Sequence, residues 1–241
     1  MSEDTATTFN HCAVHLATAV DTPKGKERFG HPIDHEIVGI SYIYLNGSAK
    51  KLSVRCGNLT INPEKEKDSE DILAEFAARY EGVQPNYMIT FWGDGFTLPV
   101  LYYNCLRYGV PMPSVFGSSG IYPRTVDERN NIELISLLTN RKAVDATKNK
   151  MEDYFSKLTT LPGRVRPDVA AMVNAKDYKG IKGALALDIL SMVVFYLHHE
   201  VVAGTITVEE EQSLLRRVFS AASKKSKKVK AFLKPHLSTI L

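Results

Sequence analysis

Two apolar runs close to the N-terminus limit what this chain can fold into more than any other feature. Cys12–Val20 reads C-A-V-H-L-A-T-A-V, which predicts a buried strand. Glu36–Leu45, rich in Ile, Val and Tyr, predicts a second strand. Asn46-Gly47 then gives a hairpin signal before a third strand near Leu52–Arg55. Asp21–His35, between the first two runs, is rich in Pro, Gly and charge and reads as a loop. The sheet is therefore expected to begin with antiparallel strands.

Helical periodicity takes over further along. Asn58–Asp68 is polar and reads as loop, and Asp68 or Ser69 can cap a helix through Tyr80 with Ile72, Leu73, Phe76 and Ala77 on one face. Tyr87–Trp92 predicts a strand, Gly93–Gly95 a turn, and Leu98–Tyr108 a helix with Pro99 in its first turn and Gly109 at its end. Met112–Arg129 reads as a long surface loop and Ile132–Leu138 as a short helix, while Arg141–Pro167 is poorly periodic. Helices over Lys182–Ala203 and Val208–Ala222 close the pattern, with Glu209, Glu210 and Glu211 suited to a first turn. The domain limits read as a flexible 1–9, a folded 10–222, and a Lys-rich helix or tail over 223–241.

Composition excludes several classes. At 241 residues and 44% hydrophobic, the chain can bury a proper core. Its net charge of +3 is too small to mark a nucleic-acid protein. Cys12, Cys56 and Cys105 are an odd set without C-x-x-C spacing, so neither a disulfide framework nor a zinc site is expected, and a reducing intracellular compartment is. No secretory signal is expected at Met1–Thr8. No apolar run reads as a membrane span, so no membrane partner is expected.

Three motifs in order carry a family resemblance. Cys12–Val20 resembles the first motif of a 3′–5′ exonuclease, a strand ending Asp-x-Glu-Thr, with His15 and Ala17 where the acids belong. Ile89–Leu101, with its Gly-Phe-x-Leu-Pro-Val-Leu block, is similar to the second motif of predicted exonucleases related to the proofreading domain of family B DNA polymerases. Thr97 stands there for the metal-binding Asp and Trp92 for an Asn. Leu185–Gly204 resembles the third motif, a helix with Tyr-x-x-x-Asp, in which Asp188 is the Asp and Ala184 replaces the Tyr. Weaker echoes lie at Arg28–Ser41 and Ile132–Leu138, so the resemblance spans about residues 10–215. It implies an α/β, ribonuclease-H-like mixed sheet flanked by helices, exonuclease type, with a helical C-terminal extension.

The resemblance also implies a two-metal site, in which ions roughly 3.5–4 Å apart clamp the attacking and leaving oxygens. Mg²⁺ needs carboxylates for this. Of the four acid positions, now His15, Ala17, Thr97 and Asp188, only Asp188 is acidic, and the general-base position is Ala184. No metal and no cofactor are therefore expected. The implied function is that of a catalytically inactive exonuclease fold acting as a protein-binding adaptor. A viral source, such as a phage, with host cytoplasm as its location, belongs to the same expectation.

Two alternatives stand beside it. One is a noncatalytic single-strand binder. The other is an exonuclease with a rearranged site that recruits Asp21, Glu36 and Asp94 around Asp188.

Single residues keep plainer readings. His15 is a hydrogen-bonded core or cleft residue or else a ligand, and Thr97 is a helix N-cap. Trp92 either packs or contacts a partner at the cleft rim. Phe116, Ile121, Tyr122, Arg124 and Arg129, on the long loop, are partner-binding candidates unless the apolar three staple the loop down. Lys224, Lys225, Lys227, Lys228 and Lys230 could meet nucleic-acid phosphates, dock an acidic partner, or form a solvated face.

Overall fold

Apolar residues occupy both parities of the first strand, so it is covered on both faces and sits inside the sheet. The computed structural model describes residues 7–20, 31–121, 130–139 and 168–240. Among the described residues five strands form one mixed sheet: β1 (Thr8–Val20), β2 (His35–Ser48), β3 (Ser53–Thr60), β4 (Tyr87–Thr90) and β5 (Asn131–Glu133), in the order β3-β2-β1-β4-β5. β1–β2 and β2–β3 are antiparallel, whereas β4 pairs parallel with both β1 and β5.

The helices among the described residues are α1 (Ser69–Glu81), α2 (Leu98–Tyr108), α3 (Pro113–Phe116), α4 (Leu134–Thr139), α5 (Val169–Asn174), α6 (Tyr178–Val202), α7 (Val208–Lys225) and α8 (Lys227–Ile240). Cys12, Val14 and Leu16 face α1 and α2, meeting Ile72, Phe76, Leu98 and Leu101. Phe9 and Ala13 face the other way, into a core built by α6, α7 and α8. α1 begins at an Asp68–Asp71 capping box and α7 at a Thr207–Glu210 one, each satisfying amides that a helix start leaves bare. α2 ends at Gly109, whose φ of +66° favours glycine.

Some expectations need correction. Asn46-Gly47 is not a two-residue turn: β2 continues to Ser48, with Gly47 opposite Phe9 and Asn46 opposite Ser53. The reversal is a single 3₁₀ turn, Ala49–Lys51. Gly47 is needed there for a different reason, since its φ is +114° and a Cβ would meet the Lys51 carbonyl oxygen at 2.5 Å. Thr97 does not cap α2 with its side chain. Gly93–Thr97 forms one π turn, closed by Thr97 N–H donating to the Trp92 carbonyl at 2.9 Å, and Thr97 itself is already helical. The Met112–Arg129 stretch contains α3.

The view that no apolar run reaches membrane-span length also fails. α6 has 25 residues and is long and apolar enough by composition, but 78% of its most apolar stretch is buried inside the fold, as expected of a core helix. The Lys-rich C-terminal stretch docks as well, since α8 inserts Val229 and Leu233 into the core beside α6 and α7.

His11, on β1, stacks on Tyr87 at 5.0 Å and is 8% exposed. Burial lowers its pKa from 6.5 to about 4. The unfolded chain takes up this proton near pH 6.5 and the folded chain only near 4. Stability from this residue is therefore complete above the upper value and declines as pH falls between the two, by up to about 3 kcal/mol. Urea midpoints measured at pH 7 and pH 4.5 are expected to lie closer together in His11→Phe than in wild type. An unchanged gap would show that other groups carry the acid sensitivity.

Candidate functional site

His15 points to the same face of β1 as Ala13 and Ala17, towards α6. Its partner there is Asp188, with Nε2 and Oδ2 3.5 Å apart and the two residues 8% and 5% exposed. Asp177 starts α6 by accepting from Gly180 N–H at 2.8 Å, which satisfies an amide that the helix start leaves bare. Ala184, one turn before Asp188, shares its face and is buried, and Ala17 packs on Val38, Ile181 and Leu185. Three of the four acid positions thus converge on one β1–α6 contact.

Thr97 is buried at the start of α2, on the turn that follows β4. That turn is fixed from both sides. Phe96 sits edge-on to His35 at 4.8 Å, and Trp92 stacks on Phe96 at 6.1 Å with planes 14° apart. His35 Nδ1 shares a 2.8 Å hydrogen bond with Thr18 Oγ1 at the end of β1. Asn104, fully buried on α2, donates to the His35 carbonyl at 2.9 Å and accepts from Ile37 N–H, locking α2 to β2. Gly95 lets the indole lie across it, since a Cβ there would come 2.0 Å from Trp92 Nε1.

The rearranged acid set is not assembled by these contacts. Glu36 accepts from Ser69 Oγ at 2.7 Å and Tyr108 O–H at 3.0 Å, in the α1–α2 layer. Asp94 donates its N–H to Glu133 and accepts from Asn131 Nδ2 at 3.4 Å, beside β5. Asp21 lies outside the described residues.

The matching positions do not supply the ligands of a Mg²⁺ pair, because between them they carry one carboxylate, one imidazole, two methyl groups and one hydroxyl. Among the described residues, no group of three or more His, Cys, Asp or Glu is placed to hold a metal ion. His198 and Glu211 bond to each other and tie α6 to α7.

A family model described as "Predicted 3'-5' exonuclease related to the exonuclease domain of PolB" matches residues 28–236. The chain belongs to that family. The match begins after β1, so the reading of His15 and Ala17 as former acid positions rests on the motif and on the place of β1 opposite α6. The family B DNA polymerase of the hyperthermophilic archaeon Pyrobaculum calidifontis is similar at 15% identity over 88% of this chain, with a TM-score of 0.47. The chain spans 29% of that polymerase's length. No curated protein matches it. The family and the sheet order make this a ribonuclease-H-like exonuclease fold.

The partner-binding candidates divide. Ile121 is buried at 3% exposure and belongs to the core, so it cannot serve as an exposed contact. Phe116 is half-buried, edge-on to Tyr102 at 5.2 Å. Trp92 is half-buried as well. Tyr122, Arg124, Arg129 and the 141–167 segment lie outside the described residues. Lys224, Lys225, Lys227 and Lys230 are exposed, and the Lys228 side chain is outside the described set. Sequence reasoning missed Arg55, Arg79, Arg216 and Arg217, which join Lys224 and Lys225 around one groove. The signal available was Arg217, Ala221 and Lys224 at helical spacing on one face.

Proposed function

We propose that this member of the exonuclease family is catalytically inactive and works as a binding protein for a protein partner. The observation that carries the reading is the His15–Asp188 contact: an imidazole is the neighbour of the one surviving carboxylate. Ala17 and Ala184 add no oxygen to it. Two-metal hydrolysis requires ions on both the attacking and the leaving oxygen, and a single carboxylate does not offset that charge. Ala17 packs on Val38, Ile181 and Leu185, so a methyl group at that position fits the core without a metal.

The test is an end-labelled nuclease assay on single-stranded DNA and RNA with Mg²⁺ or Mn²⁺. Wild type and Asp188→Asn are expected to leave both substrates equally intact. Metal-dependent digestion that disappears in Asp188→Asn would overturn the inactive reading. Affinity capture of the tagged chain, with nuclease treatment as a control, should retain a protein partner after treatment. Loss of all partners on treatment would favour the single-strand binder.

A further inference from the structure

Outside the cleft, the sheet ends at β3, whose outer edge pairs with no strand among the described residues. Such an edge offers a row of N–H and C=O groups to any strand that fits beside it. Here it forms the floor of a groove of about 880 Å³, with the C-terminal part of α1 on one side and α7 on the other. Six cations line it: Arg55 on the strand, Arg79 on α1, and Arg216, Arg217, Lys224 and Lys225 on α7. Among the described residues no Asp or Glu lines it, although the whole chain carries only +3.

Two of the cations are part of the frame. Arg217 donates to the carbonyls of Lys50 and Leu52, fixing the end of the groove next to the start of β3. Arg79 donates to Tyr42 O–H at 2.6 Å and pairs with Glu75, which keeps the Tyr42 ring lying over Gly57. Arg55, Lys224 and Lys225 are exposed.

We infer that this groove takes an acidic, extended segment of a partner protein, added as a further strand beside β3. Main-chain hydrogen bonds along the edge would supply affinity, and the flanking cations would select acidic side chains. The same cations disfavour pairing with a second copy of this chain, because like charges would face each other across the new interface. Single-stranded nucleic acid fits less well, since it relies on exposed aromatic faces for stacking. The tyrosines of this groove, Tyr42 and Tyr44, are only 3% and 4% exposed. The inference concerns a surface separate from the cleft and stands whether or not the cleft hydrolyses anything.

A fluorescein-labelled peptide alternating glutamate and valine, titrated into the full chain, tests it by anisotropy. Binding is expected to weaken with added salt and to slow amide exchange within Ser53–Thr60. The same sequence with alternate backbone amides N-methylated should bind at least tenfold more weakly, because it keeps the charge and loses the edge bonds. The variant Arg55→Glu/Lys224→Glu/Lys225→Glu should lose roughly tenfold or more with an unchanged melting temperature. If that variant does not fold, the salt series and the N-methylated peptide decide the matter without it. Three results would overturn the inference: no saturable binding of the acidic peptide at millimolar concentration, equal binding of the N-methylated form, or an oligothymidylate that binds as tightly without slowing exchange in β3. The last would assign the cations to phosphate recognition instead.

Discussion

Replacing His15 with leucine is expected to destabilise the fold by about 2–4 kcal/mol, because it leaves the Asp188 carboxylate without its imidazole neighbour. Asp188 is 5% exposed and lies on α6 against β1, where water cannot easily replace the lost contact. For a chain of this size, that is a fall in melting temperature of roughly 5–15 °C. Asp188→Asn should cost less, about 1 kcal/mol, since the amide keeps the shape and packing of the carboxylate. The double change His15→Leu/Asp188→Leu should cost less than the two single leucine changes added together, because the contact between the pair is lost only once. Urea denaturation of wild type, His15→Leu, Asp188→Leu and the double leucine variant gives the coupling directly. Additive effects would mean that the two side chains do not support each other, and the contact would lose its structural role.

Phe76→Ala is expected to cost about 3–5 kcal/mol, the range for removing a fully buried aromatic ring. Phe76 is 0% exposed and sits between Tyr42 at 5.6 Å and Tyr80 at 5.7 Å, on the α1 side of the sheet. The cavity would open directly beneath the ring that Arg79 holds over β3, so the groove should change together with the core. Thermal denaturation measures the first effect, and amide exchange at Gly57 and Asn58 the second. A loss below about 1 kcal/mol would mean that the layer collapses around the gap, contrary to the tight ring packing.

Where local signals and tertiary pairing agree, the sequence was readable. α2 runs over Leu98–Tyr108 as its Pro99 start and Gly109 end imply, and α1 starts where Asp68 can cap it. At Asn46-Gly47 the two disagree, and pairing wins: β1 extends to Thr8, and its partner β2 must continue through the turn signal to match it. β5 has only three residues, too few for alternation to register, and exists because β4 offers a parallel edge. His15 and Asp188 could be brought together from motifs alone, since each motif names its place in the fold. The β3 groove could not be, because its cations come from β3, α1 and α7, which are distant in sequence and meet only across the sheet edge.

Calorimetric titration of Mn²⁺ into the wild-type protein and into His15→Asp/Ala17→Glu/Thr97→Asp tests the central claim most directly. The substitutions place carboxylates at the three positions where the motifs of the family carry them and leave Asp188 in place. Wild type is expected to show no saturable heat, and the triple variant to bind the ion measurably. Nuclease activity need not return with it, since position 184 remains alanine. Stoichiometric Mn²⁺ binding by wild type that is lost in Asp188→Asn would contradict the account, because it would show a metal centre built on the very carboxylate that neighbours His15.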